Sequence, residues 1–132
     1  MTGGASGLGA ASAARLRADG PAVTTLDLHG EADVIADVTD KAALRQVAGR
    51  IGPVDVLVNS AGIVGANKPL LETTTEEWRR VFDINVLGTV HAGRIFVPGM
   101  RERAGAGSST SPAWPARTAT RTCPSTWRPR PR

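Results

Sequence analysis

"TGGASGLG", Thr2–Gly9, is the stretch whose reading decides the fold of this 132-residue chain. Four of its eight residues are glycine, and "LGAASAARLRADG" runs on from it. Glycine carries no Cβ, so it can take a positive φ and let another group touch the backbone. Behind the loop, Leu8, Ala11, Ala14 and Leu16 form an apolar stripe near helical spacing, Arg15 and Arg17 lie near its end, and Gly20 is a plausible stop. A Gly-rich turn that opens a helix aims free N–H groups and the positive end of the helix dipole at one spot. That makes it an anion site suited to phosphate. Read alone, the stretch fits an ordinary Gly-rich turn equally well.

The next segment favours phosphate. "PAVTTLDLHG" reads as a strand over Ala22–Leu26 that closes on Asp27, eighteen residues after Gly9. An acid at that distance can accept hydrogen bonds from an adenosine ribose. Its charge would repel a 2′-phosphate, so Asp27 argues for NAD over NADP. The competing reading is an aspartate that caps a strand-end turn.

Further along, the pattern alternates. Val34–Ala36 is a short apolar run followed by Asp37-Val38. "KAALRQVAGRIG" places Ala43, Leu44, Val47 and Ile51 on one helical face, with Gly52-Pro53 as the stop. "VDVLVNSAG" is a buried strand that ends in small and polar residues. The longest helix is expected over "TTTEEWRRVFDINVLGTVHAGRIFV". Thr74 and Glu77 have capping-box spacing there, Trp78, Val81, Phe82, Asn85, Val86 and Thr89 share a face, and Pro98-Gly99 end or kink the helix. Glu76, Glu77 and Asp83 read as a solvated face, and His91 as structural or partly exposed. Strands alternating with helices imply an α/β fold, a doubly wound parallel sheet with right-handed crossovers. Ligands of such sheets bind beyond the carboxyl ends of the strands, where Asp27, Asp37 and Asn59 fall.

In this order the motifs resemble the short-chain dehydrogenase/reductase family: Thr2-Gly3-x-x-x-Gly7-x-Gly9, Asp27, Asp37-Val38, Asn59-Ser60-Ala61-Gly62 and Asn85. The resemblance runs from Thr2 to about Arg103. More narrowly, the chain is similar to bacterial NAD-preferring members, the 3-oxoacyl-carrier-protein reductase-like and sugar-acid dehydrogenases. The resemblance implies a Rossmann-like fold and hydride transfer between NAD and a secondary alcohol or ketone. It implies that Ser6, Gly7 and Leu8, within the turn framed by Gly3 and Gly9, meet the pyrophosphate. Asp27 would bind the adenosine ribose, and Asp37 and Val38 would flank the adenine. Asn59, Ala61 and Gly62 would line the nicotinamide ribose side. Asn85 would be the catalytic-site asparagine that kinks the long helix and holds a proton-relay water. Without that pattern, Asn59 reads as a turn residue and Asn85 as a polar residue within a helix. Full-length relatives are expected to be homo-oligomers, and this chain is not expected to assemble.

Composition bounds the alternatives. A single cysteine excludes an internal disulfide framework and a Cys-based metal site. No run is long and apolar enough to span a membrane, so a cytoplasmic protein with no membrane partner is the expectation. The formal charge of +4 is unevenly placed. Residues 107–132 hold five of the sixteen basic residues and no acid, leaving eleven against twelve in the remainder. A nucleic-acid footprint is therefore confined to the tail, and no nucleic-acid partner is expected.

The family's reaction requires a serine, a tyrosine and a lysine four residues beyond the tyrosine. The lysine lowers the tyrosine pKa, and the tyrosine transfers the proton. This chain has no tyrosine, and its only lysines are Lys41 and Lys68. Where those groups belong stands "GSSTSPAWPARTATRTCPSTWRPRPR", with five Pro, five Arg, nine Ser or Thr and no Val, Leu, Ile or Phe. Residues 1–105 thus read as a partial NAD-binding domain, and 106–132 as a disordered segment. Three readings compete for it: a natural basic tail that binds a partner, an inert extension, or the family's next segment in a displaced frame. One permitted coding of Gly107–Arg130, read from the third base of each codon, spells IVNIASVAGKDGNPNMSEYVAAK. That peptide is a strand with a serine, a tyrosine thirteen residues later and a lysine four beyond. The displaced frame is the favoured reading. At the other end, the fold places a buried strand directly before the glycine turn, and Met1 would be its last residue. The expectation is a late-called start, an incomplete sheet lacking its first strand and C-terminal half, poor solubility, weak NAD binding or none, and no dehydrogenase activity. The alternative is a non-catalytic nucleotide-binding module with a basic partner-binding tail.

Overall fold

The computed structural model describes residues 1–106 and 117–120. Helix α1 (Gly7–Ala18) follows the glycine turn, and the two-residue strands β1 (Leu26–Asp27) and β2 (Val34–Ile35) come next. Helix α2 (Lys41–Ile51) leads to β3 (Val56–Asn59). A 3-10 turn (Leu70–Glu72) precedes α3 (Thr75–Phe82), a π-helical turn (Asp83–Leu87) and α4 (Gly88–Ala106), and β4 (Arg117–Thr120) closes the described chain.

All the strand pairs are parallel. β1 pairs with β2 in the register Leu26↔Val34, and β3 with β4 in the register Val56↔Arg117. Thr2 joins the two pairs by bridging both Leu26 and Asn59. Its N–H donates to the Val58 carbonyl at 2.9 Å, its carbonyl accepts from Ser60 at 3.1 Å, and the Met1 carbonyl accepts from Leu26 at 2.8 Å. The spatial order is therefore β2, β1, Thr2, β3, β4. The chain winds one way from Thr2 and then returns to wind the other way, which is doubly wound topology with its switch point at Thr2. The incomplete α/β sheet expected from the sequence is present, with its first strand represented by this one bridging residue.

Local outcomes differ from the sequence reading where tertiary pairing decides. The strand expected over Ala22–Leu26 forms only at Leu26–Asp27, where Met1–Gly3 on one side and Val34–Ile35 on the other supply ladder partners. In α1 the buried residues are Gly9 and Ala13, while Leu8, Ala11 and Ala14 are exposed. The helix approaches the sheet on its smallest side chains, so the proposed apolar stripe faces outward. In α2 the expected face is buried, with Leu44 at 0% exposure. Asp40 caps that helix by accepting from Ala42 and Ala43, and Gly52 ends it at φ 72°.

The long helix does not stop at Pro98. It loosens into the π turn at Asp83–Leu87 and continues through Pro98 to Ala106. Ala92, Phe96 and Met100 pack into the core with Leu26, Leu44, Val47 and Leu57, and their burial on both sides of Pro98 offsets the backbone bond lost there. Trp78, Phe82 and Val86 remain exposed, so the face they share is not a core face. Within 106–132, expected to carry no structure, Ala106 ends α4 and Arg117–Thr120 form β4; the rest of that segment lies outside the described residues.

Candidate functional site

The glycine turn is shaped by contacts that admit no side chain. Gly3 has φ 66°, and a Cβ there would lie 2.5 Å from the Ala61 nitrogen. A Cβ on Gly9 would lie 1.8 Å from the Gly3 carbonyl oxygen. Gly7 differs: at φ 51° it has nothing within 4 Å, so it faces open space. Ser6 caps α1 in extended geometry without a side-chain hydrogen bond, and no acid occupies the first turn. The leading N–H groups of α1 are thus left for a ligand, and the fourth glycine, Gly4, packs against Thr25.

Asp27 stands directly across this turn. Its Oδ2 accepts from the Ala5 N–H at 3.0 Å, and its Oδ1 accepts from Leu28 at 2.8 Å. Each oxygen keeps a second lone pair, which is what a ribose diol needs. The turn-capping reading of Asp27 and the ribose reading are therefore compatible in one carboxylate.

Asp37 and Val38 form the floor. The Asp37 Oδ1 accepts from Thr39 at 2.8 Å, which fixes the turn after β2. Val38 is held from behind by α4. A Cβ on Gly88 would lie 2.6 Å from Val38 Cγ2, and His91 Nδ1 lies 3.3 Å from the Val38 carbonyl. His91 is half-buried against that carbonyl. Gly88 carries a requirement for close approach that nothing in the sequence reading singled out.

Ser60–Ile63 make the opposite wall. The Thr2 hydroxyl accepts from the Ser60 and Ala61 N–H groups, both at 3.3 Å. Asn85, in the π turn, accepts from the Ile63 N–H at 2.9 Å and donates to the Ile63 carbonyl at 2.9 Å. Oδ1 keeps a second lone pair and Nδ2 a second N–H, so the side chain buttresses the wall and still has capacity for another partner, while its main-chain carbonyl accepts from the Thr89 hydroxyl at 3.2 Å. Asn59 sits behind the wall rather than in it. It is 4% exposed, and among the described residues neither atom of its amide has a partner.

These walls enclose a cleft of about 750 Å³ lined by Gly3, Ser6–Gly9, Asp27, Asp37, Val38, Ala61 and Gly62. The cofactor-binding residues read from the sequence thus converge, apart from Asn59, and Asn85 buttresses the rim. The sequence reading missed Leu28 and His29 beyond β1, Ser60 and Ile63, and Arg79, Arg80 and Ile84 on the α3 side. Glu76 and Asp83, read as a solvated face, are exposed on that same wall, and Glu76 lies 3.3 Å from Arg79. Glu77 instead closes the capping box with Thr74 and pairs with Lys68 at 2.8 Å. The Lys68 hydrogen bond and the Thr74 N–H hold its carboxyl below the usual value. Among the described residues no cluster of His, Cys, Asp or Glu could hold a metal ion, and no helix is long and apolar enough to cross a membrane.

A sequence profile described as short chain dehydrogenase matches residues 1–108. A Sphingomonas protein named 2-dehydro-3-deoxy-L-rhamnonate dehydrogenase (NAD(+)) is 42% identical over 118 residues, covering 77% of this chain and 47% of its own length. The human 3-hydroxyacyl-CoA dehydrogenase type-2 is 38% identical over 117 residues, covering 72% and 45%. Among solved structures, a 3-ketoacyl-ACP reductase from Sinorhizobium meliloti superposes with a TM-score of 0.70 at 29% identity, covering 79% of this chain and 49% of that one. The aldohexose dehydrogenase of Thermoplasma acidophilum does so at 0.66 and 34%, covering 76% and 43%. The chain spans about half the length of the curated relatives it matches.

Proposed function

The chain belongs to the short-chain dehydrogenase family, and from that premise we propose that its cleft binds the adenosine-diphosphate half of NAD. The observation that supports the reading is the 3.0 Å hydrogen bond from Ala5 to Asp27, which brings the proposed ribose acceptor beside the proposed phosphate-binding turn. The residues fit the group: Gly7 opens onto free space, and Gly3 and Gly9 exclude any Cβ behind it. Ser6, Gly7 and Leu8 would meet the diphosphate, Asp27 the ribose, Asp37 and Val38 the adenine, and Ala61 and Gly62 the nicotinamide side. Asp27 favours NAD over NADP, since its carboxylate would face a 2′-phosphate. Bound NAD would supply hydride acceptance on its nicotinamide. The reaction class is oxidation of a secondary alcohol or reduction of a ketone, with a small molecule as partner.

This chain itself is proposed not to turn over. It holds no tyrosine, Lys68 is paired with Glu77, and neither lysine lines the cleft. The favoured account is that residues 107–132 come from a displaced reading frame. A non-catalytic nucleotide-binding module with a basic tail is the second reading, and the same lack of tyrosine supports it. Titration with NAD, NADP and ADP-ribose tests the cleft. For the cleft to be a nucleotide site at all, ADP-ribose must bind, if only weakly as the sequence leads one to expect, with NAD preferred to NADP; no binding of any of them overturns it. DNA sequence across Ala104–Arg132 separates the two accounts. A frame change restoring the tyrosine and lysine supports the enzyme, and a confirmed tail supports the module.

A further inference from the structure

β1 and β2 run parallel, yet only residues 28–33 connect them. A parallel pair ordinarily needs a dozen or more residues for its crossover, often a helix. Six residues suffice here because each strand is two residues long, so the chain must climb back only one short strand length. That brief connection carries Leu28 and His29 into the cleft, and its tip at Gly30 sits against the glycine turn, where a Cβ would lie 3.2 Å from the Ala5 Cβ. With no crossover helix to hold the connection down, something else must.

Asp33 provides the hold. Its Oδ2 accepts from the Thr25 N–H at 2.7 Å, from the Thr25 hydroxyl at 2.7 Å and from Arg17 Nη2 at 2.5 Å. Its own N–H returns a bond to the Thr25 hydroxyl at 3.0 Å. Arg17 adds two bonds to the Val23 carbonyl, at 2.9 and 3.3 Å. Three elements meet in this clasp: the last turn of α1, the approach to β1 and the approach to β2. The N-terminal end of that same α1 is the phosphate-facing end, and Asp27 lies two residues past Thr25. The two Thr25 bonds come first, then Arg17, in holding the Asp33 carboxyl below its usual value, so it is charged throughout the neutral range.

We propose that Asp33 is a positioning residue of the nucleotide cleft, whose carboxylate ties the short 28–33 connection to Thr25 and Arg17 and so sets the spacing between Asp27 and the glycine turn. It touches no nucleotide itself. The inference rests on the nucleotide reading of the cleft, and it concerns the joint geometry of two contacts rather than either contact alone.

The test compares one ligand that spans both contacts with two that each use one. ADP-ribose spans them, adenosine reaches only Asp27, and inorganic pyrophosphate reaches only the turn. Ligand-observed NMR on the full chain reads all three, including at millimolar affinity. D33A is expected to weaken ADP-ribose about tenfold while leaving adenosine and pyrophosphate unchanged. R17M, which alters only an exposed side chain at the far end of α1, is expected to do the same to a smaller degree even if D33A fails to fold. Restoring a carboxylate at one methylene's remove, as D33E, should recover part of the loss. A uniform weakening of all three ligands in R17M would mean a merely structural role and overturn the positioning. Unchanged ADP-ribose binding in both variants would overturn it as well. Absence of ADP-ribose binding in the unmodified chain would overturn the cleft reading, and the positioning with it.

Discussion

Asn85 grips Ile63 by both ends of its amide, accepting from the Ile63 N–H and donating to the Ile63 carbonyl, each at 2.9 Å. The two residues lie 22 positions apart, and the grip joins the π turn before α4 to the wall of the cleft. The turn also faces Asn85 toward Gly62, where a Cβ would lie 3.2 Å from the Asn85 Oδ1.

Asn85→Ala should release that wall. Losing two hydrogen bonds, at about 1 kcal/mol each, should lower stability by about 2 kcal/mol. Asn85→Asp keeps the acceptor but sets a carboxylate oxygen against the Ile63 carbonyl in place of the donor, so it should cost at least as much. Denaturant titration of the two variants beside the parent checks the order. Equal stability of all three would show that the grip contributes nothing.

Gly9→Ala and Gly7→Ala should part company. A Cβ on Gly9 collides at 1.8 Å with the Gly3 carbonyl oxygen, a backbone atom that cannot swing aside, and the chain should not fold. Gly7→Ala meets no atom within 4 Å and pays only for φ 51°, about 1–2 kcal/mol. It should fold and lose ADP-ribose. Circular dichroism and nucleotide titration together separate the two outcomes.

Asp27→Ala should weaken ADP-ribose and reduce the preference for NAD over NADP. It also removes the acceptor for Ala5 and Leu28, so the glycine turn should loosen. Calorimetric titration with both dinucleotides is the measurement, and an unaltered preference would remove Asp27 from the ribose.

Stability should fall in acid through Asp33 and Glu77. Both carboxyls sit below their ordinary values of 3.8 and 4.5, Asp33 chiefly through Thr25 and Glu77 chiefly through Lys68. A carboxyl lowered in the folded state binds fewer protons there than in the unfolded chain. Its contribution is therefore complete above the unfolded value and is lost as pH falls through the folded one. Through these two carboxyls melting temperature should drop below about pH 4. Asp33→Asn should make that drop shallower, and an identical acid limb in the variant would dissociate Asp33 from it.

Much of the site was legible because its signals are local. A glycine loop before a helix, an acid about twenty residues on, and small polar residues after a buried strand are each set by a few neighbouring residues. Their chemistry needs those residue types in that order, which is why Gly3, Ser6–Gly9, Asp27, Asp37, Val38, Ala61 and Gly62 converge as read. Periodicity likewise placed α2 and its buried face, because one side of an amphipathic helix has only one way to leave water.

What the sequence did not display depends on pairs that meet only in space. The extent of β1 was set by ladder partners at Met1–Gly3 and Val34–Ile35, not by the β-propensity of Val23, Thr24 and Thr25. The close approach of Gly88 to Val38, the Asn85–Ile63 grip and the Arg17–Asp33–Thr25 clasp join residues 8 to 50 positions apart. Thr2 takes its place between β1 and β3 for the same reason. By itself the amino-acid order determined the family to which this chain belongs and that it lacks tyrosine. Tertiary structure alone decided which side chains hold the walls of the cleft in place, because hydrogen bonds and close packing act over a few ångströms and only the folded chain brings such partners within reach.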